Sequence, residues 1–455
     1  EVSHVTTYAS PLHMHGKMLS ISTDSARIYA MCAGFFVLFF GFFASQNFVT
    51  TALGDAGDLS LGLLYGTFAL CALAAPAGLA AMRRGRDDLA AERNALVLGS
   101  ALYAPFLFAC SNSSWTLFQL VGSLLLGAGA GAVWVAQGSL LTKCSEQSQR
   151  ASLAGIFWAW YMGGNALGNV AATFIEETLS LQGLFLSLGL VTLCSSAIFA
   201  VGVQPRSKLQ EKDTEQPSMT EQLIPDNLEG PDAHSVPPLQ AFTGLFFHQP
   251  TLFLVPALLF IGSENSFWAG SFTKILSQHG ATDSIGPVLS CLAGADMVAS
   301  IIAGRVTDSC ARTWPTNRVI LTPPGTAVLG VGVFVFLIGL VLLATRLLFT
   351  PDAFTNGAPI EAFICAICFG VGDGVTNTVV ISRLGCLAED RGWFAPEVAF
   401  MFFQSVNVAA TSAAFFYAPV LPLDTSLAQL WMLGMLGLAT LVFFALSETV
   451  AENEG

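Results

Sequence analysis

Twelve apolar runs dominate this chain, and nothing constrains its fold more. They fall at 28–51, 59–81, 94–111, 115–141, 152–175, 180–203, 245–277, 284–305, 325–348, 358–384, 394–419 and 425–447. Each is close to the ~20 residues an α-helix needs to cross a hydrocarbon core. A backbone polar group left unpaired there costs several kcal/mol, so runs of this length must close their hydrogen bonds internally as helices. Composition agrees: 53% of residues are apolar and 11% charged, where a soluble domain carries about 25% charged. The reading is an all-α membrane protein of twelve transmembrane helices, embedded in a lipid bilayer. Six runs precede a polar stretch and six follow it. The expected segments are a tail at 1–27, a six-helix half at 28–203, an acidic Pro-rich linker at 204–243, a second half at 244–447 and an acidic tail at 448–455.

Basic residues set the orientation. Sixteen of the eighteen Lys and Arg fall on the side of the termini, and only Lys274 and Arg346 on the other. Both termini and the linker are therefore expected in the cytoplasm, in a plasma membrane or endomembrane. Asn112-Ser113-Ser114 then lies on the opposite side as a candidate N-glycosylation sequon.

The net charge of −13 is spread along the chain: seven acids, Glu211, Asp213, Glu215, Glu221, Asp226, Glu229 and Asp232, sit in the linker, and more lie in short loops and the tail. The linker is a solvated segment, not a docking field, and no nucleic-acid partner is expected. His4, His13 and His15 are too loosely spaced in the tail to read as a metal site. Most of the ten cysteines sit in apolar runs, and Cys365 and Cys368 lack the second pair of a zinc ribbon. No cofactor is expected. Numbering begins at Glu1 rather than Met, so the true N-terminus need not be present, and no cleavable signal is visible in what is.

Polar residues inside the runs are the candidate functional groups, because a charge at the bilayer centre costs at least ~2.5–3.5 kcal/mol. Asp373 and Asn377 lie four apart on one helical face with Thr376 beside them, roughly mid-membrane, in a run with Gly370, Gly372 and Gly374. Such glycines let a neighbouring helix approach closely. Glu264 and Asp296 are two further carboxylates in the second half, and no acid lies mid-span in the first. Intramembrane acids of this kind serve as proton relays; the alternative is that they fix packing. Tyr161, Asn165 and Asn169 recur at four-residue intervals on one helix, either lining a cavity or bonding a neighbouring helix. Gln46, Asn47, Gln137, Asn265, Gln404 and Asn407 complete the candidate polar set. The run Gly127–Gly131 reads as close helix packing, since no strand precedes it to make a nucleotide loop.

Two loops at equivalent places in the two halves resemble the major facilitator pattern G-x-x-x-D-R-x-G-R. The first keeps Gly78, Arg83, Gly85 and Arg86, with Met82 where an acid is usual. The second runs from Gly304-Arg305 through Asp308 to Arg312. In that superfamily such turns bind helix ends and acidic partners across the two halves and gate the cytoplasmic side. Further stretches resemble the Unc-93-like family: Phe36–Gln46 and Leu61–Tyr65, Gly127–Thr142, Gly155–Asn169, Gly262–Gly270, Gly370–Thr378 with its G-x-x-D-x-x-x-N-T core, and Ala399-Phe400 through Phe415-Phe416-Tyr417. The resemblance implies a twelve-span major facilitator fold and a protein that regulates or escorts another membrane protein, a channel or receptor. The altered first loop and the absence of a mid-span charge in the first half favour that reading. Its rival is a proton-coupled transporter of a small organic solute, with Glu264 and Asp373 carrying the proton and Gln46, Asn165, Asn169, Asn377 and Gln404 lining the site. No helical HExxH or GxSxG occurs in the spans, so no enzyme is expected.

Overall fold

A computed structural model describes residues 23–53, 55–83, 88–112, 114–204, 238–278, 281, 284–313, 324–349, 360–389, 394–417 and 425–453. The tail histidines, the acidic linker residues, Gly85 and Arg86 lie outside them. Asn47 and Arg312 are placed on helices by their backbone alone.

The described chain is almost entirely helical. Before the linker come α1 (Thr23–Leu53), α2 (Asp55–Arg83), α3 (Asp88–Ala101), α4 (Ala104–Cys110), α5 (Thr116–Cys144) and α6 (Arg150–Gly202). After it come α7 (Pro238–Phe247), α8 (Gln249–Leu252), α9 (Val255–Ser266), a π-helical segment (Phe267–Phe272), α10 (Thr273–Gln278), α11 (Ile285–Thr313), α12 (Pro324–Phe349), α13 (Ile360–Glu389), α14 (Pro396–Tyr417) and α15 (Thr425–Asn453). Among the described residues, 11 helical segments are long and apolar enough to cross a membrane. The run expected at 152–175 is helical but falls short in apolarity, because Asn165, Asn169 and several glycines interrupt it.

α6 is two limbs rather than one rod. Ser180 breaks it with φ 67° and ψ 167°. Gly164 and Gly168 meet Phe36 and Phe40 of α1 in ascending order, whereas Gly34 meets Phe199 and Gly41 meets Thr192. The chain therefore reverses near Ser180, and both limbs pack on α1.

Close backbone contacts set the rest of the packing. α6 runs along α11, and α2 runs along α14, joining elements from before and after the linker. Gly155 approaches the Ser300 carbonyl, and Gly304 approaches that of Ala151; a side chain at either glycine would push the helices apart. Outward-facing Leu70, Val341 and Trp431 are well exposed, which suits contact with lipid rather than water.

Two ends differ from the expected boundaries. Pro238–Phe247 is already helical, and its Phe242 ring lies 5.4 Å from Phe402 of α14. α15 also continues past residue 448, and Glu448 accepts the Thr326 N–H at 2.9 Å, capping α12.

Candidate functional site

Three carboxyl groups meet inside the bundle. Asp373 on α13 stands within side-chain reach of both Glu264 on α9 and Asp296 on α11. All three are buried. The glycines beside Asp373 make the meeting possible: a Cβ on Gly374 would lie 2.6 Å from the Asp296 carbonyl, and one on Gly370 would lie 2.1 Å from that of Leu292. Only a helix bare at those positions can bring Asp373 alongside Asp296. Asn377 reaches back one turn, its Nδ2 donating to Asp373 Oδ1 at 2.6 Å. From α6, Trp158 Nε1 donates to Asp296 Oδ2 at 3.3 Å.

The remaining oxygens are the informative ones. Glu264 Oε1 and Oε2, Asp296 Oδ1 and Asp373 Oδ2 accept no hydrogen bond among the described residues, and neither does the Thr376 hydroxyl find a partner. Four of the six carboxyl oxygens in this meeting are thus buried without a donor among the described residues. An acceptor left this way is costly unless a proton or cation lies between the pair. Among the described residues no ion pair reaches any of the three, and no cluster of metal-ligating type is found. Immediately after Glu264 the helix loosens into the π-segment Phe267–Phe272, a local irregularity common at functional sites.

Beside the cluster lies a cavity of about 60 Å³. Phe39, Phe42, Phe43 and Gln46 face it from α1, with Tyr65 and Phe68 from α2. Tyr103, Trp134, Trp158 and Tyr161 close the same side. Asn265 and Trp268 also line it, with Gln404, Asn407 and Thr411 of α14. Tyr65 Oη donates to Gln46 Oε1 at 3.1 Å, and Tyr161 packs edge-on against Phe39 at 4.6 Å between centroids. Trp158 thus touches the cavity with its ring and the carboxyl cluster with its N–H.

The other candidates lie elsewhere. Asn169 Nδ2 donates to Asn165 Oδ1 at 2.7 Å in a buried pair outside this lining. Gln137 is buried in α5 beside Gly138, which abuts the Phe400 ring. The Asn112 Oδ1 accepts from the Ser114 N–H at 3.0 Å in the turn between α4 and α5.

At one end of the bundle the loop residues build an ionic lock. Arg83 Nη1 donates to Glu397 Oε1 of α14 at 2.5 Å. Its Nη2 donates to Glu92 of α3. Glu92 also accepts from Lys143 Nζ at 3.0 Å and Ser139 Oγ at 2.9 Å. Met82 therefore does not abolish the contact, because Arg83 finds its acids outside the loop. Asp308 accepts the Ser152 N–H at 2.8 Å and that of Ala151 at 3.2 Å, capping the start of α6. Gly78 has nothing packed against it, and Arg305 is exposed. Glu92, Lys143 and Glu397 were not singled out from sequence; the available signal was acids at span ends close to a basic loop.

Long apolar helices enclosing a polar-dotted cavity, with an ionic contact at one end, define a multi-pass membrane fold. The solved structure of the major facilitator superfamily proton:xylose symporter XylE shares it, with a TM-score of 0.63 over 92% of this chain and 95% of that one at 12% identity. A bacterial homologue of the iron transporter ferroportin, in an outward-facing state, aligns with a TM-score of 0.59 over 93% and 99% at 14% identity. A family model described as "Ion channel regulatory protein UNC-93" matches residues 50–444. The chain belongs to that family and is a multi-pass integral membrane protein. UNC93-like protein 3 of Arabidopsis thaliana is 26% identical over 408 residues, covering 84% of this chain and 80% of that protein. UNC93-like protein MFSD11 of Xenopus laevis is 24% identical over 92% of this chain and 94% of its own length. The putative potassium channel regulatory protein unc-93 of Caenorhabditis elegans is 21% identical over 84% of this chain and 56% of that protein.

Proposed function

We propose that this chain is a proton-coupled secondary transporter of a small organic solute. It would use twelve spans in two six-helix halves, with the termini, the linker and the ionic lock on the cytoplasmic side. The observation that carries the reading is the meeting of Glu264, Asp296 and Asp373, four of whose oxygens are buried without a donor among the described residues. Protons bridging those oxygens remove the acceptor–acceptor conflict. Their departure leaves like charges in a low-dielectric site, which favours a rearrangement of α9, α11 and α13 around it. The Asp296–Trp158 bond carries that change to the cavity wall and to the first half. Alternation also requires the Arg83–Glu397 contact to part. The Arg83–Glu397 contact, present despite Met82, supports this reading.

A second reading is favoured by the family's description as an ion channel regulatory protein. Here the fold serves to regulate or escort a partner membrane protein, and the carboxyl cluster sets shape rather than flux. The two readings separate in proteoliposomes. Under imposed proton gradients of either direction, the transporter moves a solute from a mixed library, and Asp373→Asn stops it. No flux of any library member, together with a membrane protein that co-purifies in gentle detergent, would sink the transporter reading.

A further inference from the structure

The lining of the cavity restricts what it can hold. Eleven of its twenty residues are aromatic, and none of them is Lys, Arg, His, Asp or Glu. The polar groups are neutral amides and hydroxyls, chiefly those of Gln46, Asn265, Gln404, Asn407 and Thr411. Carboxyl groups lie just behind the wall. Asp296 is bonded to the cavity-lining Trp158, Glu264 precedes the cavity-lining Asn265, and Tyr161 sits in the field of both Asp296 and Asp373.

Aromatic faces attract cations, most strongly where water is excluded. Three carboxyls behind the rings act in the same direction. An anion would meet both without a basic group to receive it. A polyol has the amides and phenols to bond with but gains nothing from the carboxyls behind the rings. The room, about 60 Å³, is that of a few waters at roughly 15 Å³ each, which suits a compact head group.

We propose that this cavity binds a small organic cation of the alkylammonium class, whose charge the Glu264–Asp296–Asp373 cluster balances by releasing a proton. The proposal rests on the proton-coupled reading above and names its substrate class. One cation enters and one proton leaves, so the charge of the closed site is unchanged. The titratable groups facing the site are Glu264 on α9, Asp296 on α11 and Asp373 on α13, with the phenols of Tyr65, Tyr103 and Tyr161 on the cavity side. All lose a proton as pH rises, so cation binding strengthens in that direction.

The test uses the full chain in detergent and reads tryptophan fluorescence, since Trp134, Trp158 and Trp268 line the cavity. Choline is titrated against its neutral tert-butyl isostere, in which carbon replaces nitrogen. Saturable quenching by choline is expected, at least about tenfold tighter than for the isostere. It should be tighter at about pH 8 than at about pH 6, with proton release into weak buffer. Asp373→Asn should weaken choline binding by about tenfold or more; should that variant fail to fold, the choline-to-isostere ratio on the unaltered chain still decides between the outcomes. Equal affinity for the two probes, or no saturable response to choline, overturns the proposal. Choline binding without proton-driven flux of any solute would keep the site and remove the transporter. Proton-driven flux of a neutral or anionic solute without choline binding would do the reverse.

Discussion

Substituting Glu397 by Gln should unlatch one end of the bundle. Glu397 is 3% exposed and the Arg83 side chain 12% exposed, so their contact is poorly screened. Leaving a buried charge with no partner costs about 3–5 kcal/mol. Arg83 keeps Glu92 in the variant, and the Gln retains an acceptor oxygen, so we take about 2 kcal/mol as the loss. That loss falls on the latched form alone and shifts the latched-to-open ratio by roughly 30-fold. Spin labels introduced as non-natural amino acids at Gly78 and Arg305 would read it by pulsed EPR. Both positions are open, and they lie on the α2 and α11 sides of the latched end. The distance distribution should lengthen for Glu397→Gln and for Arg83→Gln, and the double variant should go little further than the larger single change. A wild-type distribution in Glu397→Gln, or effects that add to within about 0.3 kcal/mol, would refute the lock.

Gly374→Ala would set a Cβ 2.5 Å from Asp296 Oδ1 and 2.6 Å from its carbonyl; a loss of about 1–3 kcal/mol and a shorter half-life in detergent at fixed temperature should follow. Gly294→Ala on the same α11 helix, with nothing within 4 Å, should instead hold stability or raise it by up to about 1 kcal/mol. Ser180 sits at φ 67° and ψ 167°, a region costing about 1–3 kcal/mol outside glycine, so Ser180→Gly should slow thermal inactivation. Glu448→Ala uncaps α12 at Thr326 and should lower stability by about 1 kcal/mol, measured as a lower melting midpoint in the same detergent.

Much of the fold was legible because the bilayer enforces a simple rule. Runs such as 325–348 and 425–447 had to close their own hydrogen bonds, so their length and apolarity were enough. The run at 152–175 shows where that signal weakens: its glycines let it pack on α1, and together with the bonded Asn165–Asn169 pair they lower its apolarity. Asp373 and Asn377 were expected on one face, and they are bonded there. The spacing of Gly370 and Gly374 announced a close neighbour without saying which.

Sequence alone therefore determined that this is a helical membrane protein with expensive acids at Glu264, Asp296 and Asp373. The resemblance of the Gly78–Arg86 stretch to a superfamily loop pointed to Arg83 as a candidate gate residue. Tertiary structure decided who meets whom. Asp296 and Asp373 lie far apart along the chain and share a site because α11 and α13 close on two glycines. Arg83 finds Glu397 more than three hundred residues away, and eleven rings from distant helices converge on one cavity. Local periodicity reports the face a residue occupies, whereas long-range pairings arise from packing that no single segment encodes.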